Sequence, residues 1–250
     1  MKKQQVDHVL RAAGRITGER QFIIIGSQAL HGKYPDLPDE ILKSVEVDLM
    51  AGKKRETTEW LNTIGMHSAF HASFGYFADP IDLATTAGFP KGWKGRLVNL
   101  PPGDTDGVKG LCLEPHDLAI AKYVAHRPKD LIFTRELVRR GLLSKERLLS
   151  LLDQTPVSEE IRGRVRDRIG HDFSTSHEVN DRSERAGAGL SKEVAYDVGD
   201  EIEAARARRR RGWLKMRKAQ RARSSERKLT TDRDRAADSE DHLEIDPDDA

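Results

Sequence analysis

Cysteine is almost absent from this sequence, since Cys112 is its only one. A single thiol excludes both a disulfide framework and a zinc site built from several thiolates. Long apolar runs are also missing, because no stretch approaches the roughly 20 apolar residues of a membrane-spanning helix. The lysines that follow Met1 do not lead into an apolar segment, so we expect no signal peptide. These absences predict a cytoplasmic protein with no membrane partner.

Apolar residues are concentrated in the first two thirds of the chain. Charged residues make up 34% and hydrophobic residues 37% of the 250 residues, but apolar runs nearly vanish after about residue 170. We therefore predict a folded domain over 1–170, with a sheet core over about 1–113 and a helical part over about 114–170. Residues 171–250 are predicted to be a linker and a charged tail, largely disordered or helical.

The tail contains two blocks of opposite charge, which a formal net charge of +2 conceals. Residues 206–228 contain twelve Lys or Arg and one acid, whereas 229–250 contain nine Asp or Glu and two Arg. A dense basic block is typical of an arm that binds nucleic-acid phosphates, here those of RNA. The residues assigned to this binding are Arg208, Arg209, Arg210, Arg211, Lys215, Arg217 and Lys218. A solvated charged helix or a disordered tail explains the same composition.

Hydrophobic periodicity predicts strands and helices in the first part of the domain and helices in the second. Strands are expected at 22–25, 45–50, 97–100 and 110–113, with a strand or hairpin at 66–77. Helices are expected at 3–17, 53–61, 116–126, 129–140, 144–152 and 157–169, with a long charged helix at 192–218.

The stretch over 22–50 has the clearest chemical meaning. Its first strand ends in Gly26 and Ser27, where the glycine should adopt unusual dihedral angles and the serine should cap a short helix. Its second strand alternates apolar and acidic residues, so Glu46 and Asp48 share one face, about 6–7 Å apart. Carboxylates bind Mg²⁺ or Mn²⁺, and N–H groups at a helix start attract phosphate. This order predicts metal-dependent transfer of a nucleotidyl group from a nucleoside triphosphate.

Each of these elements also has a plain structural explanation. A Gly-Ser pair after an apolar strand is a common turn, and alternating acids on a strand are most often a solvated face. A second function therefore stays open, that of a non-catalytic nucleic-acid-binding protein that acts through the basic block.

Five stretches carry a resemblance to a known family: GSQAL (26–30), SVEVDL (44–49), FGYFADP (74–80), PKGWKGRLV (90–98) and LEPHDLAIAKYVAHRPKDL (113–131). They resemble a bacterial family of nucleotidyltransferase-like proteins, mostly uncharacterised and distantly related to the toxin nucleotidyltransferases of abortive-infection toxin–antitoxin systems. The resemblance implies an α/β (α+β) fold, with a mixed sheet flanked by helices, and metal-dependent transfer from a nucleoside triphosphate. It leaves the acceptor open and raises a cognate antitoxin as a partner.

The resemblance also implies roles for acidic residues. Glu46 and Asp48 fall on the metal-binding pair, although the wider superfamily usually has Asp at the first position. A third carboxylate is implied on a following strand, as general base or third metal ligand. Asp79 fits this role and Asp82 is the reserve, whereas a plain turn before Pro80 is the structural explanation for Asp79.

Basic residues of the helical part are implied to complete the site. Lys122 corresponds to a helix lysine that contacts the triphosphate, and Arg127, Lys129 and Asp130 form a corner that orients the nucleotide. A lysine with its stem along an apolar surface is more commonly just solvated, and an Asp after a short loop is more commonly a helix cap.

Overall fold

The computed structural model describes residues 1–38, 41–50, 55–81 and 88–185, and their side chains except at 55, 56, 58 and 176–185. Several predictions therefore lie outside the described residues. They concern the reserve carboxylate Asp82, the helix at 192–218, and the charge blocks with the seven basic residues between Arg208 and Lys218. Among the described helices, none combines the length and the apolar character that crossing a membrane requires.

A mixed sheet of five strands organises the described residues. The strands are β1 (Gln21–Ile25), β2 (Glu46–Met50), β3 (Phe77–Pro80), β4 (Val98–Asn99) and β5 (Lys109–Cys112). Their order is β3-β2-β1-β5-β4. The pairs β1–β5 and β2–β3 are parallel, whereas β1–β2 and β4–β5 are antiparallel. The predicted mixed sheet is confirmed.

Seven α-helices accompany this sheet in the described part of the chain. They are α1 (Lys3–Thr17), α2 (Arg55–Leu61), α3 (Ala69–Phe74), α4 (Pro115–Ala125), α5 (Pro128–Arg139), α6 (Lys145–Asp153) and α7 (Glu159–Arg185). Short 3₁₀ helices cover Ser27–Gly32, Asn62–Ile64 and Trp93–Arg96.

The two central strands follow from local sequence patterns. β1 is almost entirely apolar, and its Phe22 and Ile24 are buried, as expected for a strand in the middle of a sheet. In β2 the apolar Val47 and Leu49 are fully buried, whereas the intervening acids are only partly buried. The period of two therefore turns one face of β2 to the core and presents its carboxylates on the other.

α1 covers the sheet with its apolar side. Its Val6, Val9 and Leu10 are fully buried, as the spacing of three and four residues predicts. The packing on β5 is close, because a β-carbon added at Gly110 would lie 3.1 Å from Cδ1 of Leu10. The predicted helix at 3–17 is confirmed.

The helices that follow β5 share one hydrophobic core with the sheet. Tyr123 of α4, Leu137 of α5, Leu148 of α6 and Ile169 of α7 are all fully buried within it. The predicted succession of a sheet and a helical part is confirmed.

The prediction of a strand or hairpin at 66–77 is wrong, because Ala69–Phe74 forms α3 and the strand β3 begins only at Phe77. Ser68 caps the helix by accepting a hydrogen bond from the N–H of His71 at 3.1 Å. Gly75 ends it in a left-handed conformation. Phe70 and Phe74 lie four residues apart and stack with 4.8 Å between ring centroids, so the aromatic spacing is that of a helix turn.

The predicted end of the helix at residue 169 is wrong, because α7 continues to Arg185 and makes 171–185 of the predicted linker helical. Asp172 explains the continuation, since it is fully buried. It accepts a hydrogen bond from the Tyr123 hydroxyl at 3.1 Å and pairs with Arg168 at 3.2 Å. Phe173 also packs against the core four residues after Ile169, so polar and apolar contacts together hold this part of α7. The division of the chain into domains at residue 170 stays a prediction.

Candidate active site

Gly26 lies where β1 ends and lets the chain turn directly beside β2. Its backbone angles are φ +71° and ψ −167°, a combination that is accessible essentially to glycine alone. A β-carbon at this position would lie 1.8 Å from Oδ2 of Asp48. The sheet register causes this approach, because Ile25 pairs with Asp48 and the next residue passes beside the carboxylate. The predicted unusual dihedral angles are confirmed.

Ser27 begins the 3₁₀ helix Ser27–Gly32 and does not cap it. Gly26 occupies the cap position, and no side chain accepts a capping hydrogen bond there. The prediction that Ser27 caps the helix is therefore wrong, because the glycine completes the turn one residue earlier. Ser27 is partly exposed. Its contact with phosphate stays a prediction.

Three carboxylates meet beside this turn: those of Glu46, Asp48 and Asp79. Each offers an oxygen, and the three oxygens lie within 4.8 Å of one another. β2 and β3 run in parallel with Asp48 opposite Asp79, so the third acid joins the pair through the sheet register. Asp79 lies within β3 and not in a turn before Pro80. All three are partly buried.

This donor set fits a hard divalent cation. Carboxylate oxygens are the ligands of Mg²⁺ and Mn²⁺, whereas zinc and copper sites are usually built with nitrogen or sulfur. Oxygens that bind one Mg²⁺ at about 2.1 Å lie at most about 4.2 Å apart. The observed separation is only slightly wider, so small side-chain rotations bring all three oxygens into one coordination sphere.

Gln28 connects the 3₁₀ helix to the start of β2, a role that the sequence analysis missed. Its side chain is fully buried and its Nε2 donates to the carbonyl of Ser44 at 3.1 Å. Ser44 in turn accepts a hydrogen bond from the backbone N–H of Glu46 through Oγ at 3.3 Å. The turn after β1 and the first acid of β2 are thus held together. A glutamine directly before the apolar Ala29 and Leu30 was the available signal.

Lys122, Arg127 and Asp130 come together at the corner between α4 and α5. Asp130 is buried, accepts from Nζ of Lys122 at 2.9 Å and pairs with the Arg127 guanidinium. Burial alone would raise the pKa of Asp130, but the charge of Lys122 and the hydrogen bond from Arg127 lower it. Arg127 occupies the cap position of α5, so the alternative role of Asp130 as its cap is wrong. Lys129 is exposed in the same turn.

The structure therefore groups the predicted residues into two sets. The acids and the glycine turn lie together on strands, whereas the basic corner lies on the helices α4 and α5. Contacts of the basic corner with a nucleotide stay a prediction.

A second buried carboxylate, Glu114, was not singled out from the sequence. It caps α4, because its Oε2 accepts from the N–H groups of His116 at 2.8 Å and Asp117 at 3.4 Å. Its Oε1 lies 3.0 Å from Nδ1 of His116, whose Nε2 accepts from the N–H of Ser144 at 2.9 Å. His116 therefore donates from Nδ1 to Glu114 and accepts at Nε2. Burial would raise the pKa of Glu114, but contacts with His116 and the charge of Arg147 lower it to about 2.

A comparison with protein families identifies the group to which this sequence is related. The profile of a family described as "Nucleotidyltransferase of unknown function (DUF6036)" matches residues 4–178. The chain belongs to this family. The match includes all five strands and therefore the turn and the three carboxylates. No curated protein and no solved structure matches the chain.

Membership of this family confirms the predicted resemblance to nucleotidyltransferase-like proteins and supports nucleotidyl transfer as the general activity. The nucleotide, the metal and the acceptor are matters for the proposal below.

Proposed function

We propose that this protein is a metal-dependent nucleotidyltransferase that transfers a nucleotidyl group from a nucleoside triphosphate to an acceptor hydroxyl. The observation that supports the proposal most is the meeting of three carboxylates beside a glycine turn. A solvated acidic face does not require such a turn. Here the glycine is required by both its dihedral angles and the space that Asp48 occupies.

Each residue of this group has a task in the proposal. Glu46 and Asp48 hold Mg²⁺ or Mn²⁺, which when bound neutralises the triphosphate and the leaving pyrophosphate. The backbone at Gly26 and the Ser27 hydroxyl approach the phosphate oxygens at the start of the 3₁₀ helix. Lys122 adds positive charge from α4.

In the proposed reaction the acceptor hydroxyl attacks the α-phosphorus. The bond from that phosphorus to the bridging oxygen of the β-phosphate breaks, and pyrophosphate leaves with the bond's electron pair. The hydroxyl proton passes to a general base, for which Asp79 is the nearest carboxylate to the metal pair. As a third metal ligand instead, Asp79 would leave the proton to solvent. Asp79→Asn in a pH–rate profile separates the two roles, because only loss of a base removes the limb that rises with pH.

The test is a transfer assay on the full chain. Purified protein is incubated with Mg²⁺ or Mn²⁺, each labelled nucleoside triphosphate in turn and total cellular RNA, and the products are separated on a gel. We expect one nucleotide to label an acceptor, and Asp48→Asn to abolish the labelling. The matched control is Asp153→Asn, since Asp153 is exposed and pairs with Arg166 on the surface. Full activity in Asp48→Asn would contradict the proposal.

RNA is the acceptor that the composition of the tail favours. Twelve cations within 206–228 would supply salt-dependent affinity for a nucleic-acid backbone. The same observation favours the second candidate function, non-catalytic nucleic-acid binding. Neutralising the seven basic residues from Arg208 to Lys218 in the full chain separates the two. If the neutralised variant loses RNA binding but still labels itself or another protein with nucleotide, the enzyme is supported. If the phenotype of the protein depends on the basic block alone, non-catalytic nucleic-acid binding is supported.

A cognate antitoxin is the partner that the resemblance to toxin nucleotidyltransferases suggests. We propose that expression of the chain inhibits growth and that the product of an adjacent gene relieves the inhibition. Expression of wild type and Asp48→Asn, with and without the neighbouring gene, tests this role. Equal growth in all four cultures would exclude it.

A further inference from the structure

Two basic side chains from different elements converge on Glu114. Nζ of Lys33, just after the 3₁₀ helix Ser27–Gly32, lies 3.4 Å from Oε1 of Glu114. A guanidinium nitrogen of Arg147, in the first turn of α6, lies 3.4 Å from the same oxygen. The side chains of Lys33 and Arg147 are 42% and 47% exposed. Both cations therefore reach solvent while they contact a buried anion.

The position of this convergence relative to the carboxylates follows from the sheet register. Ile24 pairs with Cys112, and the N–H of Leu113 donates to the carbonyl of Ile24 at 2.9 Å. Glu114 is therefore level with Gly26, one strand away. Asp48 lies on the opposite side of Gly26, on β2. Two strand spacings of about 4.8 Å place the Cα atom of Glu114 about 10 Å from that of Asp48, at the end of the sheet where β1 and β5 finish.

The charge at Glu114 exceeds what the buried carboxylate requires. Two backbone N–H groups and Nδ1 of His116 already donate to it. These donors satisfy both carboxylate oxygens. Lys33 and Arg147 thus bring two positive charges to one negative charge, and their contacts are longer than a strong charge-assisted hydrogen bond. The result is a surplus of positive charge that faces solvent.

We propose that Lys33 and Arg147 form a phosphate-binding subsite of the candidate active site. Arg147 presents a planar pair of N–H donors and Lys33 a compact charge, a combination that suits phosphate oxygens. The subsite rests on the proposed function, because the proposed reaction supplies the phosphate that would bind there. The source is either the far end of the triphosphate or the acceptor backbone.

The structural alternative is that both cations merely neutralise Glu114. Their removal would then lower stability and leave phosphate binding unchanged. Binding and stability must therefore be measured on the same variants.

The experiment is calorimetric titration of the full chain with tripolyphosphate in EDTA, where no divalent metal is available to the three carboxylates. The variants are Lys33→Gln, Arg147→Gln and their combination. Each single change should weaken binding about tenfold or more. The double change should weaken it further but by an amount that departs from the product of the two, because both cations share Glu114 and the ligand. The matched control is Arg15→Gln, because Arg15 is an exposed arginine that pairs with an acid other than Glu114, namely Asp106. It should leave the affinity unchanged.

A second arm identifies the source of the phosphate. A single-stranded RNA oligonucleotide with a 5′-hydroxyl end replaces tripolyphosphate, and the basic block at 206–228 is neutralised in every chain so that it does not mask the effect. Weakened binding of tripolyphosphate alone assigns the subsite to the triphosphate. Weakened binding of the oligonucleotide alone assigns it to the acceptor. Either result supports the subsite.

Two further points keep the test decisive. Should a Gln variant fail to fold, Arg147→Lys retains the charge and removes the paired donors, and it should still weaken binding severalfold. Affinities for both ligands that equal those of wild type in the folded variants, or absence of binding by wild type itself, overturn the subsite. Because these titrations need no transfer reaction, an inactive enzyme would contradict the proposed function without affecting this result.

Discussion

Gly26 and Asp48 are in such close contact that only glycine fits beside the carboxylate. A β-carbon at residue 26 would lie 1.8 Å from Oδ2 and 2.8 Å from Cγ of Asp48. The backbone of the phosphate turn and the second acid of β2 therefore form one unit. A change in either should disturb both.

Gly26→Ala should impair both stability and activity. The positive φ with extended ψ costs a non-glycine residue about 1–3 kcal/mol, and the new methyl group displaces the Asp48 carboxylate as well. A displacement of about 1 Å at a catalytic group lowers activity by about 100-fold. Urea unfolding and the transfer assay measure the two effects.

The control for this change is Gly163→Ala in α7, where an added β-carbon meets nothing within 4 Å. Alanine in a helix should raise stability by about 0.5–1 kcal/mol. Equal stability of the two alanine variants would show that the contact with Asp48 does not constrain residue 26.

Asp79→Asn should weaken metal binding. The three carboxylates approach within 4.8 Å, and the affinity of an oxygen site depends on its number of charged ligands. We expect the dissociation constant for Mn²⁺, measured by electron paramagnetic resonance, to rise about tenfold or more. Asp153→Asn should leave it unchanged. An unaltered constant in Asp79→Asn would remove Asp79 from the metal site.

The parts of this molecule that local sequence determines were predictable, and those that depend on distant contacts were not. Alternation within β2 predicted that Glu46 and Asp48 share a face, because a strand has a period of two. The pairing of Asp79 with Asp48 depends on the order of strands in the sheet, and only the family resemblance suggested it. The glycine turn was predictable from Gly26 itself, whereas the role of Ser27 depended on where that turn ends.

The two errors in secondary structure have similar causes. Around Phe70 and Phe74 the aromatic pattern suggests strand alternation, although the Ser and Gly that flank it are the signals of a short helix. Beyond residue 170 the helix is held by buried Asp172, which pairs with Arg135 and Arg168, and by Phe173, which packs against the core. One buried acid and one apolar side chain form too short a pattern for hydrophobic periodicity to extend the helix.

Glu114 should make the stability of the protein depend on pH in the acidic range. Its pKa falls from the ordinary value of 4.5 to about 2 on folding, so the folded state holds the charged form more strongly than the unfolded state. The resulting stabilisation is complete above about pH 4.5 and is lost as the pH falls towards 2. Each pKa unit corresponds to about 1.4 kcal/mol, which gives about 2–3 kcal/mol after allowance for solvent screening.

The measurement is urea unfolding of wild type and Glu114→Gln between pH 2.5 and 7. The difference in unfolding free energy should grow with pH up to about 5 and then stay constant. Glutamine also removes the cap of α4, but that loss does not vary with pH. A difference that is independent of pH would show that Glu114 keeps its ordinary pKa in the folded protein.

Lys122→Gln tests whether the basic corner serves the nucleotide or only the fold. Lys122 donates to buried Asp130, and in the variant Asp130 still pairs with a second cation, Arg127. The matched control is Arg135→Gln, because Arg135 pairs with buried Asp172, which in that variant still pairs with Arg168. Each change to glutamine should lower the free energy of unfolding by about 1–3 kcal/mol, since each removes one charged partner of a buried carboxylate.

Only the nucleotide-binding role predicts a further difference between these variants. A lysine that contacts the triphosphate contributes a charge-assisted hydrogen bond, so its loss should raise KM for the nucleoside triphosphate about tenfold or more. Arg135→Gln should leave KM unchanged at the same loss of stability. Equal KM values for the two folded variants would make Lys122 a structural cation of the α4–α5 corner. The triphosphate would then depend on the glycine turn and on the cations beside Glu114.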